Sequence, residues 1–103
     1  MFGEMLSDFI EKNGVSKVEL CRRAKISRPY LYSILSGDVK PPTRDIQLRI
    51  ADSLALDDRD RYRLFDSAAL ERDEIPADVV DYLRDSKNRS EIRKLMCERK
   101  GSE

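Results

Sequence analysis

The chain has 103 residues, of which 40% are hydrophobic and 39% charged, and its 20 basic residues balance 20 acidic ones. At this length we expect one compact core with a short appendage rather than two independent domains. No stretch approaches the ~18 apolar residues of a membrane span, and acidic residues stand near the start, where a secretion signal carries positive charge. The sequence therefore predicts a cytoplasmic protein without a membrane segment.

The residue types that are missing argue against catalysis. There is no histidine, and the two cysteines, Cys21 and Cys97, stand far apart. A structural zinc site normally needs four Cys or His ligands. A Gly-rich phosphate loop and a Ser-centred elbow are both absent from the sequence. We expect no catalytic residue, no metal site and no cofactor, so the protein is predicted not to be an enzyme; Cys21 is expected in the core.

Charge is segregated along the chain although its total is zero. Residues 16–44 contain seven basic and two acidic residues. Residues 57–85 contain ten acidic residues and five arginines, and residues 86–103 contain six basic and three acidic ones. A basic surface can therefore form locally without an excess of basic residues overall.

Helical spacing begins at the N-terminus. The first helix is predicted from Gly3 to about Asn13, where Asn13-Gly14 supplies a stop signal. Ser16 and Glu19 have the spacing of a capping box, so a second helix should begin there. Its inward face is predicted to carry Leu20, Cys21 and Ala24. Arg22 and Arg23 are expected in solvent.

A third helix is expected after a tight turn at residues 25–26. Ser27 is the natural N-cap, Pro29 in the first turn loses no hydrogen bond, and Gly37 ends the helix. At 100° per residue the helix has two faces. The inward face is predicted to hold Tyr30, Leu31, Ile34 and Leu35, and the opposite face Arg28, Pro29, Tyr32 and Ser33.

The rest of the chain is also predicted to be helical. Pro41-Pro42 indicates an extended connector, and Thr43 is expected to cap a fourth helix. Asp57-Asp58 should open a fifth helix that runs to about Leu70 through the apolar residues Tyr62, Phe65, Ala68 and Ala69. Residues 71–76 are predicted to be a linker, followed by two short helices, one after Pro76 and one from Arg89 with Asn88 as its cap. The predicted fold class is all-α.

Residues Ser16 to Gly37, "SKVELCRRAKISRPYLYSILSG", resemble the helix-turn-helix of the Cro and lambda-repressor type, also called the XRE family. The resemblance lies in the capped start, the small residue at Cys21, "ISR" at 26–28, "YL" at 30–31 and the closing "SG". It implies a five-helix lambda-repressor-like DNA-binding domain over residues 1–70. Residues 71–103 would then be a linker and a C-terminal helical extension, which either dimerises or completes the monomer core.

The resemblance also implies a function. Members of this family bind double-stranded DNA sequence-specifically, usually as homodimers on an inverted repeat and usually to repress transcription. When the family's contact positions are carried over to this sequence, the resemblance implies base contacts by Arg28, Pro29, Tyr32 and Ser33. Phosphate contacts fall to Ser16, Lys17, Lys40, Thr43 and Arg44.

Two positions depart from the family pattern. Lys17 stands where members typically carry Gln, and a lysine can keep a phosphate contact as a point charge. Lys25 stands in the turn where Gly is common. If that position needs a positive φ, the lysine is strained.

Two other functions fit the same sequence. One is the antitoxin of a toxin–antitoxin pair, which would bind its own operator and use the C-terminal extension to hold a protein partner. The other is a protein-interaction adaptor that kept the fold and lost DNA binding.

Overall fold

A computed structural model describes residues 1–101, and all of the regular structure in that range is helical. The helices, in chain order, are α1 (Phe2–Asn13), α2 (Lys17–Ala24), α3 (Arg28–Ser36), α4 (Arg44–Ser53), α5 (Asp58–Arg72), α6 (Ala77–Arg84) and α7 (Ser86–Gly101). The all-α prediction is confirmed for the part of the chain that is described. In the same range, no helix has the length and apolar character that crossing a bilayer requires.

One hydrophobic core is shared by helices α1 to α5, with a single contribution from α6 at Ala77. Its largest fully buried side chains are Phe2, Leu6, Leu20, Leu31, Ile34, Ile50, Leu54, Leu64, Phe65 and Pro42. Cys21 is buried as predicted, 7% exposed on the inner face of α2. Both cysteines are free thiols.

The predicted helix starts are confirmed where a side chain caps them. The side chains of Ser16, Ser27 and Asp57 each accept a hydrogen bond from the backbone N–H three residues on, at 3.1, 3.2 and 2.9 Å. Each such cap contributes about 1 kcal/mol to stability. Thr43 occupies the N-cap position of α4, but its side chain makes no capping hydrogen bond.

Helix α5 differs from its predicted form. Of the apolar residues predicted along it, Phe65, Ala68 and Ala69 are buried, whereas Tyr62 is 54% exposed. The helix also runs past Leu70 to Arg72, so the linker is limited to residues 73–76. The extra residues are held by long-range contacts: the Glu71 carboxylate accepts a hydrogen bond from the Phe2 backbone N–H at 3.1 Å.

The C-terminal helices behave differently from each other. Helix α6 packs against α4 and α5, whereas the main neighbour of α7 is α6. Helix α7 begins at Ser86 rather than Arg89, and Asn88 lies inside it instead of capping it. The radius of gyration is 16.0 Å, against about 13 Å for a compact chain of 100 residues. The molecule is therefore elongated, 51 Å along its longest axis.

Candidate nucleic-acid interface

The turn between α2 and α3 is built without glycine. Lys25 ends α2 in the left-handed region, with φ 57° and ψ 47°. Its N–H and that of Ile26 both donate to the Cys21 carbonyl, so the turn satisfies backbone groups at the end of α2. The position does need a positive φ, and a non-glycine residue is strained there by about 1–2 kcal/mol.

Two arginines tie α2 to α4 and so fix the orientation of the turn. Arg49 Nε donates to the Ala24 carbonyl at 2.8 Å, and Arg23 Nη1 donates to the Ser53 carbonyl at 3.0 Å. Arg23 is therefore not simply solvated, as the sequence had suggested. Arg23 and Arg49 both donate to backbone carbonyls that are distant in the sequence. Because every residue has a backbone carbonyl, such contacts cannot be recognised from the sequence.

A salt-bridge cluster lies on the outer side of α2. The Glu19 carboxylate accepts hydrogen bonds from Arg22 and from Arg23 Nε, the latter at 2.9 Å. The hydrogen bond from Arg22, followed by that from Arg23, lowers the pKa of Glu19 to about 2. The Glu19 carboxylate is therefore engaged by two arginines that lie one turn further along the same helix.

Helix α3 has one face in the core and one in solvent, as predicted. Leu31 and Ile34 are 0% and 2% exposed, and Tyr30 and Leu35 are half-buried against the same core. The N-cap at Ser27 and the left-handed Gly37, with φ 82°, set the two ends of the helix. The inward face of α3 therefore packs on the core along the whole length of the helix.

The solvent face of α3 carries the four predicted base-contact residues. Arg28 and Pro29 are exposed, Tyr32 is 52% exposed and Ser33 is half-buried. Within residues 1–101, no hydrogen bond or ion pair engages the Arg28 guanidinium. Its donors are available to an outside acceptor.

Lys17 joins this face from the neighbouring helix. Its Nζ lies 5.3 Å from the centre of the Tyr32 ring, close enough for a cation–π interaction. A residue predicted to contact phosphate therefore lies beside one predicted to contact bases. The first turn of α2 and the middle of α3 together form one exposed edge.

The loop after α3 brings Lys40 beside the start of the linker. Arg72 Nη1 donates to the Pro41 carbonyl at 2.9 Å, and Nη2 donates to the Glu74 carboxylate at 2.9 Å. The hydrogen bond from Arg72 lowers the pKa of Glu74, with a smaller electrostatic contribution from Lys40. These contacts of Arg72 were not predicted, because residues 71–76 were expected to be a linker.

Arg44, a predicted phosphate contact, is only partly accessible. Its side chain is 24% exposed, and Nε lies 3.7 Å from the Asp81 carboxylate of α6. Asp45 is a second acidic neighbour, at 3.8 Å from Nη2. Ser16 and Thr43, at the N-termini of α2 and α4, are exposed. The carboxylates of Asp45 and Asp81 would therefore compete with a phosphate for the Arg44 guanidinium.

The comparison with family models decides the class of protein. A model described as a helix-turn-helix domain matches residues 2–64, more than half of the chain. The chain belongs to the helix-turn-helix domain family. Domains of this kind are typical of DNA-binding regulators, in which the second helix of the motif enters the major groove. In comparisons with curated proteins and with solved structures, nothing matched the chain.

The match to this helix-turn-helix family spans α1 to the middle of α5. All of the residues predicted to contact bases or phosphates lie inside it. Helices α6 and α7 lie outside it, so the family assigns no role to them. Any function of those two helices has to be argued from their own surfaces.

Proposed function

We propose that this protein is a sequence-specific, double-stranded-DNA-binding transcriptional regulator of the Cro and lambda-repressor type, acting without catalysis as a repressor. The observation that carries the proposal is the two-sidedness of α3. Leu31 and Ile34 are buried, while Arg28, Pro29 and Tyr32 are exposed on the opposite face. A helix anchored in this way can enter a groove without losing its packing.

The exposed face has the chemistry that base readout needs. Arg28, at the start of α3, can donate two hydrogen bonds to guanine O6 and N7, which discriminates against other bases by about 1–3 kcal/mol. Pro29 can contact a thymine methyl group. The Ser33 hydroxyl can donate or accept, so it adds less discrimination.

The surrounding residues suit the phosphates. Lys17, in the first turn of α2, and Lys40, in the loop after α3, are exposed cations. The free backbone N–H groups at the starts of α2 and α4, next to Ser16 and Thr43, favour anions. Arg44 would join them in competition with Asp81. These contacts would fix the register of the protein on DNA, and the residues on α3 would set the sequence preference.

A homodimer on an inverted repeat follows from the size of the reading helix. Helix α3 has 9 residues, and one such helix reads too few base pairs to find a single site in a genome. Two copies related by a two-fold axis would read half-sites about 34 Å apart, which is one turn of DNA.

The proposal can be tested by selecting binding sites from random double-stranded DNA with the full chain. Enrichment of an inverted repeat, with half-site centres about 10 base pairs apart, is the expected result. Gel retardation of the selected site against a scrambled one then measures specificity. Failure to retard any DNA at low salt would reject the proposal in favour of the adaptor.

A further inference from the structure

Two exposed apolar surfaces lie in the C-terminal half of the chain. The first, which we call the acidic groove, lies between α5 and α6 and is lined by Tyr62, Val79 and Tyr82, together with Asp66 and Asp78. The second, which we call the α7 stripe, is lined by Ile92, Leu95, Met96, Glu98 and Arg99. Tyr62, Tyr82, Leu95 and Met96 are each at least 50% exposed. The core covers neither surface.

The joint between α6 and α7 holds α7 away from the body. Asn88 Nδ2 donates to the Tyr82 carbonyl at 2.9 Å. Arg89 Nη1 donates to the carbonyls of Leu83 and Arg84 at 3.0 and 2.9 Å. Side chains of α7 thereby satisfy the last carbonyls of α6, and a single residue, Asp85, separates the two helices. This bonding sets the direction of α7, so its stripe does not fold back onto the groove of its own chain.

Helix α7 lacks the means to be stable in isolation. It has 16 residues, none of them buried, and isolated helices of this length are marginal in water. Most helical stability in proteins comes from packing an apolar face. The α7 stripe therefore needs a surface to cover it, and that surface lies outside its own chain.

Charge indicates which surface fits. Residues 86–103, which include α7, carry six basic residues against three acidic ones, whereas residues 57–85, which include the groove, carry ten acidic residues against five arginines. Packing α7 on a second α7 would bring two basic helices together. Packing α7 into the acidic groove joins opposite charges and apolar area at once, which favours the encounter and fixes the register.

We propose that α7 of one copy lies in the acidic groove of a second copy, and that the reciprocal contact completes a two-fold homodimer. Both surfaces are on every chain, so two identical contacts close the assembly and leave neither surface exposed. The inference deepens the homodimer part of the proposed function, which named no interface. It also assigns a role in dimerisation to α6 and α7, which lie outside the family match.

The first test is the mass of the full chain in solution by analytical ultracentrifugation, without DNA. Wild type is expected at twice the 12.0 kDa of one chain. Leu95→Asp in the stripe and Val79→Asp in the groove should each weaken self-association by about 100-fold, because each change enters both contacts at roughly tenfold per contact. Val18→Asp is the matched control: Val18 is 52% exposed on α2, far from both surfaces in sequence, and should leave the dimer intact.

Mixing the two defective chains distinguishes this arrangement from others. A pair made of Leu95→Asp and Val79→Asp chains retains one intact contact, since the wild-type α7 of the second chain meets the wild-type groove of the first. The other contact carries both changes, but residues that share one contact do not act additively, and the first aspartate already removes most of what that contact contributes. The mixture should therefore dimerise more tightly than either variant alone. If α7 paired with α7, or the groove with the groove, mixing would give no recovery.

Charge exchange gives an independent measurement. Arg99→Asp and Asp66→Arg should each weaken the dimer, and dimerisation should recover when both changes are combined in one chain. Far-UV circular dichroism confirms that each variant keeps its helices, which is expected because the changed side chains are exposed or line open surfaces.

Three results would overturn the inference. They are a wild-type monomer at concentrations of about 0.1 mM, a dimer indifferent to both Leu95→Asp and Val79→Asp, and a mixture that shows no recovery. A monomer that still retards a selected half-site would reject this interface and leave DNA binding standing. A dimer that retards no DNA would support the interface and reject the proposed function.

Discussion

Gly3 lies against the carbonyl end of α3 at Leu35, and no larger residue fits there. A Cβ on Gly3 would be 2.6 Å from the Leu35 carbonyl oxygen and 2.7 Å from the Ile34 carbonyl oxygen. Both obstacles are backbone atoms of a helix, so they cannot rotate aside as a side chain can. The close approach of α1 therefore sets the position of the candidate reading helix.

Gly3→Ala is expected to destabilise the protein by about 1–3 kcal/mol, because overpacking outweighs the ~1 kcal/mol by which Ala is favoured in a helix. Urea unfolding measures the change. Gly101→Ala is the matched control, since open space surrounds Gly101, and it should have little effect. A stability gain for Gly3→Ala would show that α1 and α3 separate easily.

Lys25→Gly is expected to stabilise the protein by about 0.5–1 kcal/mol. Relief of about 1–2 kcal/mol of left-handed strain exceeds the conformational entropy cost of glycine, about 0.5–1 kcal/mol. The midpoint of urea unfolding is the measurement. Lys25→Ala removes the same charge but keeps the β-carbon, so it should bring no such gain. Equal effects of the two changes would contradict backbone strain as the cause.

The Glu19 cluster predicts a pH dependence. The folded pKa of Glu19 is about 2, below its ordinary value of 4.5, so its stabilising effect is fully present above pH 4.5 and is lost as the pH falls toward 2. Glu19→Gln should lower Tm slightly at pH 7, and this difference should shrink between pH 4.5 and 2. Glu11→Gln is the control, because Glu11 is exposed and has no ion pair within residues 1–101. A constant difference across that range would exclude the carboxylate charge as its source.

Arg28 and Lys40 separate base readout from phosphate contact. Arg28→Ala should cost about 1–3 kcal/mol on the selected site and relax the preference at one base pair in each half-site. Lys40→Ala should weaken binding to all sequences alike and reduce the salt slope by about one. Gel-retardation titrations on selected and random DNA at several salt concentrations measure both the sequence preference and the salt slope. Equal losses on both DNAs for Arg28→Ala would remove it from the base-contact set.

Asp81 is expected to restrain DNA affinity through Arg44. Its carboxylate lies 3.7 Å from the Arg44 guanidinium, so Asp81→Asn should free that cation and tighten binding by about two- to fivefold at low salt. The gain should be similar for selected and random DNA. Asp58→Asn removes the same charge from an exposed position on α5, and it measures the effect of overall charge alone. Equal gains for the two variants would argue against a local effect.

The helix starts and the two faces of α3 could be predicted because their causes are local. Ser16, Ser27 and Asp57 bond to N–H groups three residues away, and the period of 3.6 residues assigns Leu31 to the core side. Cys21 was predicted correctly for the same reason, since it shares one helical face with buried neighbours.

The errors arose where distant parts of the chain decide the outcome. Helical spacing alone does not show which neighbour covers a face, so Tyr62 was grouped with the buried Phe65 although it lines a surface groove. Asn88 looked like a cap because it precedes an apolar stripe, yet its amide serves the carbonyl of Tyr82 on the preceding helix. The role of Gly3 depends on how closely two helices approach, which no local pattern encodes.

The last turn of α5 has a practical consequence for anyone who shortens this protein. Glu71 holds the backbone N–H of Phe2, and Arg72 holds the carbonyl of Pro41. A fragment that ends at residue 64, where the family match stops, would lose both hydrogen bonds, so the amino terminus and the loop after α3 would be less well held. Trimmed versions should therefore retain at least residue 74, so that Arg72 keeps Glu74 as well.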